Sequence, residues 1–155
     1  MRRKDREIKD NFEILETVKK CKVFRIAMID GTQPYIVPLN FGYSFENDSL
    51  TLYFHSAKEG RKINILKSNN NICFEMDCEH RLISDTSACK YGYAFESIIG
   101  DGKVEFVENP NEKCKALSLI MNHQTGQDFT FNEKQAQSVA ILKVIPTSFA
   151  CKKSK

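Results

Sequence analysis

Val23-Phe24-Arg25-Ile26-Ala27-Met28-Ile29, then Asp30-Gly31, then Tyr35-Ile36-Val37-Pro38-Leu39-Asn40-Phe41-Gly42-Tyr43 is the stretch that decides the fold. Both runs are rich in β-branched and aromatic residues, and Asp-Gly between two such runs is a strong hairpin signal. Strands are therefore predicted over residues 23–29 and 35–43. Pro38 cannot donate to a ladder, so the second strand lies at a sheet edge or is distorted at that point. A distorted strand is a natural place for backbone groups to face a ligand.

The same pattern continues outward. A turn is expected at residues 45–48 and strands at 50–55, 72–76, 93–99, 103–107 and 138–145, the last closed by Pro146. Gly100-Asp101-Gly102 implies a tight turn or bulge between two strand arms, and the polar residues 77–90 read as a long loop. Three helices interrupt the strands. Residues 10–20 have Asp10 and Glu13 at capping-box spacing, with Phe12, Leu15 and Val18 as an apolar stripe. Ser56-Ala57-Lys58-Glu59 has the Ser-x-x-Glu form, so a second helix is expected to start there and run to Asn69-Asn70-Asn71. The third has Asn109 as cap, Pro110 at its first position, Leu117, Ile120 and Met121 on its apolar face, and Gly126 beyond its end. The sum is six or seven short strands, mainly antiparallel, with flanking helices. That is a mainly β, α+β chain built as a barrel or a sandwich, and periodicity does not choose between the two.

Bulk properties bound the function. A chain of 155 residues, 41% apolar, suggests a single domain over 1–155. The net charge of +3 is no basic stripe, which sets nucleic acid aside as a partner, and the basic ends read as solvated termini. No apolar run follows the basic N-terminal residues, and no run is long enough to span a membrane, so a cytoplasmic protein is expected. The six cysteines form no Cys-x-x-Cys pair and read as free thiols, and no metal site is expected.

Chemistry concentrates in Tyr53-Phe54-His55-Ser56-Ala57-Lys58-Glu59-Gly60-Arg61-Lys62. A strand delivers the chain to a helix N-terminus, where Lys58, Arg61 and Lys62 gather beside Ser56. Cations in a first turn oppose the helix dipole, which points to a phosphate site, while a solvated basic face with Glu59 supplying the proper charge is an equal alternative from spacing alone. Asn40, just after Pro38, offers both donors and an acceptor to a heterocycle edge, or to the backbone. Cys89 has no base beside it in sequence and reads as structural.

Taken in order, these segments resemble the pyridoxamine 5′-phosphate oxidase-related flavin proteins, in the branch related to nitroimidazole-resistance proteins. The resemblance rests on Met1–Ile8, Pro34–Gly42, Leu52–Ala57, Lys58–Lys62, Cys73-Phe74-Glu75, Ser97–Gly100 and Leu119-Ile120-Met121. It implies a split β-barrel of FMN-binding type, with FMN held at the interface of a homodimer. It places Val37, Pro38, Leu39 and Asn40 against the flavin ring. Lys58 and Lys62 become phosphate partners, with Ser56 beside them and Arg61 a further candidate. His55 lies at the ring edge as candidate proton donor, Ser97 comes close to the ring, and Met121-Asn122-His123 reaches the site from the partner subunit. Two departures stand out. His123-Gln124-Thr125-Gly126 replaces a motif that often reads His-Tyr-Thr-Gly, and the chain has no tryptophan, which argues against pyridoxine metabolism. The implied activity is electron transfer from reduced flavin to a small-molecule acceptor such as a nitroaromatic or quinone. A non-enzymatic flavin or haem binder is the alternative.

Overall fold

The computed structural model describes residues 3–154; Met1, Arg2 and Lys155, part of the basic ends, lie outside them. The elements run β1 (Glu7–Ile8), α1 (Asn11–Lys20), β2 (Val23–Asp30), β3 (Gln33–Asn40), β4 (Gly42–Glu46), β5 (Ser49–Ser56), α2 (Arg61–Ser68), β6 (Asn71–Ile83), β7 (Gly92–Phe106), α3 (Pro110–Thr125), α4 (Glu133–Ala136) and β8 (Ala140–Ser154).

All ladders are antiparallel, in the order β3-β2-β6-β7-β8-β5-β4, with β1 added to β8. β3 and β4 stand at opposite ends of this order, yet only Phe41 separates them in the chain. Because successive Cα atoms are about 3.8 Å apart, the sheet must curl until its two edges meet. Phe24, Phe41, Phe54 and Phe74 fill the interior. A smaller cluster of Tyr53, Leu117, Ile120 and Ile141 seats α3 on the outside. The sequence left barrel and sandwich open, and this edge-to-edge closure decides for a barrel.

The predicted hairpin forms in register, from Val23↔Asn40 to Asp30↔Gln33. Pro38 sits on the edge strand β3 without disturbing it, and the chain breaks at Phe41 instead, so β3 and β4 are two strands rather than one. Asp10 caps α1 through Glu13 N–H, as expected. The buried stripe, however, is Ile14, Thr17 and Val18, while Phe12 is 69% exposed. Contacts to Cys78 and Glu96 choose that face, through the Thr17 carbonyl and hydroxyl.

Three segments differ more. Residues 77–83, expected as loop, extend β6 because β7 supplies partners as far as Ile83↔Gly92. No turn occurs at Gly100-Asp101-Gly102; β7 runs straight through. Gly100 is needed for space, since a Cβ there would fall 2.5 Å from Ser148 O and 2.7 Å from the Phe74 ring. The bulge lies on β8 instead: Asp101 pairs with Ser148 and Gly102 with Pro146, leaving Thr147 as the extra residue. Pro146 does not end β8 either. Between Val144, the last partner of β5, and Cys151, the first of β1, that edge is free and tolerates a missing donor. The described part of the basic C-terminus is therefore strand, with Cys151 buried.

Glu96 fastens this C-terminal strand. Its carboxylate is 4% exposed and accepts from Thr17 Oγ1 at 3.1 Å, Lys20 Nζ at 3.1 Å and Lys153 Nζ at 2.6 Å. Burial alone would raise its pKa, but the hydrogen bonds from Lys153, Lys20 and Thr17 outweigh it and hold the carboxyl below its ordinary value. A depressed folded-state pKa stabilises above the unfolded value of about 4.3 and loses that contribution as pH falls through the folded one. Glu96→Gln should cost about 2 kcal/mol at pH 7, because both lysines remain partly solvated. Urea titrations at several pH values check this: the gap to the parent should hold from pH 7 down to about pH 5 and close below about pH 4.

Candidate cofactor cleft

The barrel is split where β3 leaves β4. Pairing of β4 with β5 ends at Gly42↔Tyr53, and the chain before Phe41, β3, pairs with β2 instead. His55 and Ser56 therefore keep partners on one side only, Ile141 and Ala140 of β8. That unpaired edge of β5, the unpaired outer edge of β3 and the start of α2 at Arg61 bound a notch in the strand pairing.

On β3, alternation turns Val37 and Leu39 against the core and leaves Pro38 and Asn40 exposed. Asn40 Nδ2 donates to Lys22 O at 3.2 Å and to Gln124 Oε1 at 3.1 Å. Its donors are thus committed to protein, and its side-chain oxygen accepts from no group among the described residues. Gln124, at the departure from the family pattern, donates to Phe41 O at 2.9 Å and Lys22 O at 3.1 Å, locking the β3–β4 bend to α3.

The expected capping box at Ser56–Glu59 does not form. Ser56 is held in the ladder as the last residue of β5, and α2 starts only at Arg61. Gly60 is its cap, with φ +126°, a conformation side chains resist, and no side chain caps the helix. The first-turn N–H groups are therefore open to an anion. The three cations part company here. Arg61 is committed to protein: its Nε donates to Asp30 Oδ2 at 2.7 Å, and its guanidinium lies 4.2 Å from the Tyr35 ring centre. Lys58 is exposed and lines a separate cleft of about 300 Å3 with Lys67, Phe106 and Lys113. Lys62 is half-buried over the Phe54 ring and makes no hydrogen bond or ion pair among the described residues. Burial, uncompensated by a carboxylate, lowers its pKa.

The remaining candidates are dispersed. His55 is exposed on the rim. Ser97 lies on β7, three strands from β3, or roughly 14 Å across the sheet. Cys89 is exposed in a short 3₁₀ turn. His123 is largely buried within its own chain, its Nε2 2.7 Å from Cys21 O. Asp30 and Tyr35 matter to the cleft and were not singled out in the sequence, where they read as turn and strand. Alternation along β3 would have placed Tyr35 beside Val37. Among the described residues no cluster of three His, Cys, Asp or Glu side chains could hold a metal ion. No helix among the described residues is long and apolar enough to cross a membrane.

An antiparallel barrel opened along one seam, with a helix N-terminus at the opening, is the split barrel of flavin-binding proteins. Over residues 10–153 the sequence matches the pyridoxamine 5′-phosphate oxidase family, and the chain belongs to it. Among solved structures it is similar to a candidate 5-nitroimidazole antibiotic resistance protein from Bacteroides thetaiotaomicron, at 36% identity and TM-score 0.80, covering 95% of this chain and 86% of that one. It shares its fold with a FAD- and haem-binding protein from Mycobacterium smegmatis, at 12% identity and TM-score 0.80, covering 97% and 74%. It also shares it with a FAD-binding protein from Mesorhizobium loti, at 20% identity and TM-score 0.67, covering 95% and 96%. No curated protein matches the sequence.

Proposed function

We propose that the chain, as one unit over 1–155, binds FMN in the β3–β5 notch of a homodimer and passes electrons to a small-molecule acceptor of nitroaromatic or quinone type. The observation that carries this is Lys62: a half-buried ammonium over the Phe54 ring with no counter-charge among the described residues, next to helix N–H groups that no side chain caps. Leaving a buried charge unpaired is costly, and a phosphate would supply what is missing. One such cation at one helix N-terminus suits a single terminal phosphate, which favours FMN over a dinucleotide.

The bound flavin would supply the electron-transfer chemistry. The chain's own residues bind and orient it. Lys62, with Ser56 beside it, holds the phosphate; Arg61, fixed by Asp30 and Tyr35, shapes the wall. Val37, Pro38, Leu39 and Asn40 present the β3 edge to the ring, with the free Asn40 oxygen as acceptor. His55, at the rim, would give a proton to the acceptor as it is reduced. Ser97 is too far within one chain and would come from a second copy. Support for that copy is the outer sheet face, where Ile36 is 61% and Ile99 55% exposed and Ser97 lies two residues from Ile99 on the same side. The reading is that of a cytoplasmic protein.

The test is the visible spectrum of the purified protein, with identification of any chromophore released on denaturation. Oxidised flavin bands and released FMN are expected. A colourless protein that takes up no added FMN overturns the reading. With FMN bound, steady oxidation of a reduced nicotinamide in the presence of a nitroaromatic or quinone establishes an oxidoreductase; failure with every acceptor leaves a non-enzymatic flavin binder.

A further inference from the structure

A second cavity, of about 530 Å3, lies on the other flank of the β3–β4 bend, between the end of α1, β4 and the end of α3. Lys19, Lys22, Tyr43, Phe45, Asn122 and His123 line it. None of them lies on β3, β5 or α2, the elements that bound the proposed flavin notch.

His123 is the built element. It is 8% exposed, with its ring centre 4.6 Å from that of Phe41 and edge-on to Tyr43 at 5.2 Å. Its Nε2 lies 2.7 Å from the carbonyl oxygen of Cys21. A carbonyl can only accept, so Nε2 carries the proton. Burial, with the nearby Lys22 ammonium, holds the imidazole below its ordinary pKa against the opposing bond to Cys21, so the ring is neutral near pH 7. Nδ1 is then a fixed lone-pair acceptor. No group among the described residues donates to it. Nor is it sealed in, because no fully buried side-chain nitrogen or oxygen there lacks a partner. His123 is one of the residues that line the cavity.

The other walls define what would fit. No carboxylate lines the cavity, while Lys19 and Lys22 bring positive charge to it. Lys22 Nζ donates to His123 O, and Lys19 Nζ to Glu16 Oε1 at 2.6 Å, so both ammonium groups are held in place. Tyr43 and Phe45 offer flat apolar surface. Asn122 Nδ2 is taken by Asp128 Oδ1 at 2.7 Å, which leaves its amide oxygen as a second acceptor.

We propose that this cavity binds a small planar aromatic acid, which donates a hydroxyl or ring N–H to His123 Nδ1 and turns its carboxylate to Lys19 and Lys22. Aromatic walls, a neutral acceptor and two cations are the complement of such a molecule. The site does not depend on the flavin reading. It touches the notch only through Gln124, which neighbours His123 and is bonded to Asn40.

The probe is 4-hydroxybenzoate, titrated into the purified full chain labelled with 15N-histidine and followed by calorimetry in parallel. The His123 Nδ1 resonance should move upfield as it accepts a hydrogen bond, while those of His55 and His80 stay in place. Lys19→Glu, an exposed change that breaks only a surface ion pair, should weaken binding about tenfold. His123→Gln should weaken it at least as much; if that variant does not fold, Lys19→Glu decides. No response at His123 overturns the proposal, as does affinity unchanged in Lys19→Glu. A His55 response with displaced chromophore places the probe in the notch and also overturns it.

Discussion

Lys62→Met should strip FMN from the purified protein. A charge-assisted contact to phosphate contributes about 2–3 kcal/mol, so retention should weaken roughly 30- to 150-fold. The same change should leave the flavin-free protein as stable as the parent or more so. Burial lowers the Lys62 pKa, so the folded state binds that proton less tightly than the unfolded chain does. The resulting cost is fully present at every pH below the folded value, pH 7 included, and methionine removes it while keeping the apolar stem over Phe54. Weaker cofactor with an undiminished melting temperature is the signature of a residue held for its ligand. Lys58→Met, whose ammonium faces the cleft with Lys67 and Lys113, should change retention far less. Equilibrium dialysis against FMN checks both. Undiminished FMN binding in Lys62→Met would sink the notch as the phosphate site, and a large loss in Lys58→Met would move it to the neighbouring cleft.

Gly42→Ala should be the most damaging single methyl in the chain. A Cβ at position 42 would fall 2.5 Å from the carbonyl carbon of Leu119 and 2.6 Å from its oxygen. These are backbone atoms of α3, and no rotamer change relieves them. The helix has to lift off β4, which takes Leu117 and Ile120 from their cluster and pulls at the Gln124 bonds that hold the β3–β4 bend. Over-packing of flexible side chains costs about 1–3 kcal/mol, so backbone against backbone should reach about 3 kcal/mol or more. At this chain length that is a fall in melting temperature of roughly 10 °C. Gly31→Ala is the control: its φ is +64° with nothing within 4 Å, so it loses only turn strain, about 1 kcal/mol. A Gly42→Ala protein that melts within about 3 °C of the parent would show that α3 does not depend on this close approach.

Local chemistry explains what could be read in advance. The β2–β3 hairpin follows from Asp30-Gly31 between two apolar runs, and α3 from Asn109, Pro110 and Gly126; each signal lies within a few residues of the element it sets. Elements governed by a distant partner carry no such local signal. The polar half of β6 is a strand because β7 pairs with it, and Pro146 is tolerated because no third strand needs its donor. Ser56 looked like a cap, but the β8 ladder had already claimed it.

The cofactor cleft divides along the same line. Residue types and their order are enough to propose a phosphate site at the start of α2, and the resemblance to propose a ligand edge at Val37–Asn40, since a helix N-terminus and an edge strand are local objects. The sequence also determined the antiparallel, mainly β character of the chain and, through resemblance, its family. Only the tertiary structure separated Lys58, Arg61 and Lys62 into three environments, committed the Asn40 donors to Lys22 and Gln124, and buried His123 against Cys21. It also made the notch, which exists because the β4–β5 ladder ends at Gly42↔Tyr53 while β3, on the other side of Phe41, pairs with β2 alone, so His55 and Ser56 have no strand partner on that side.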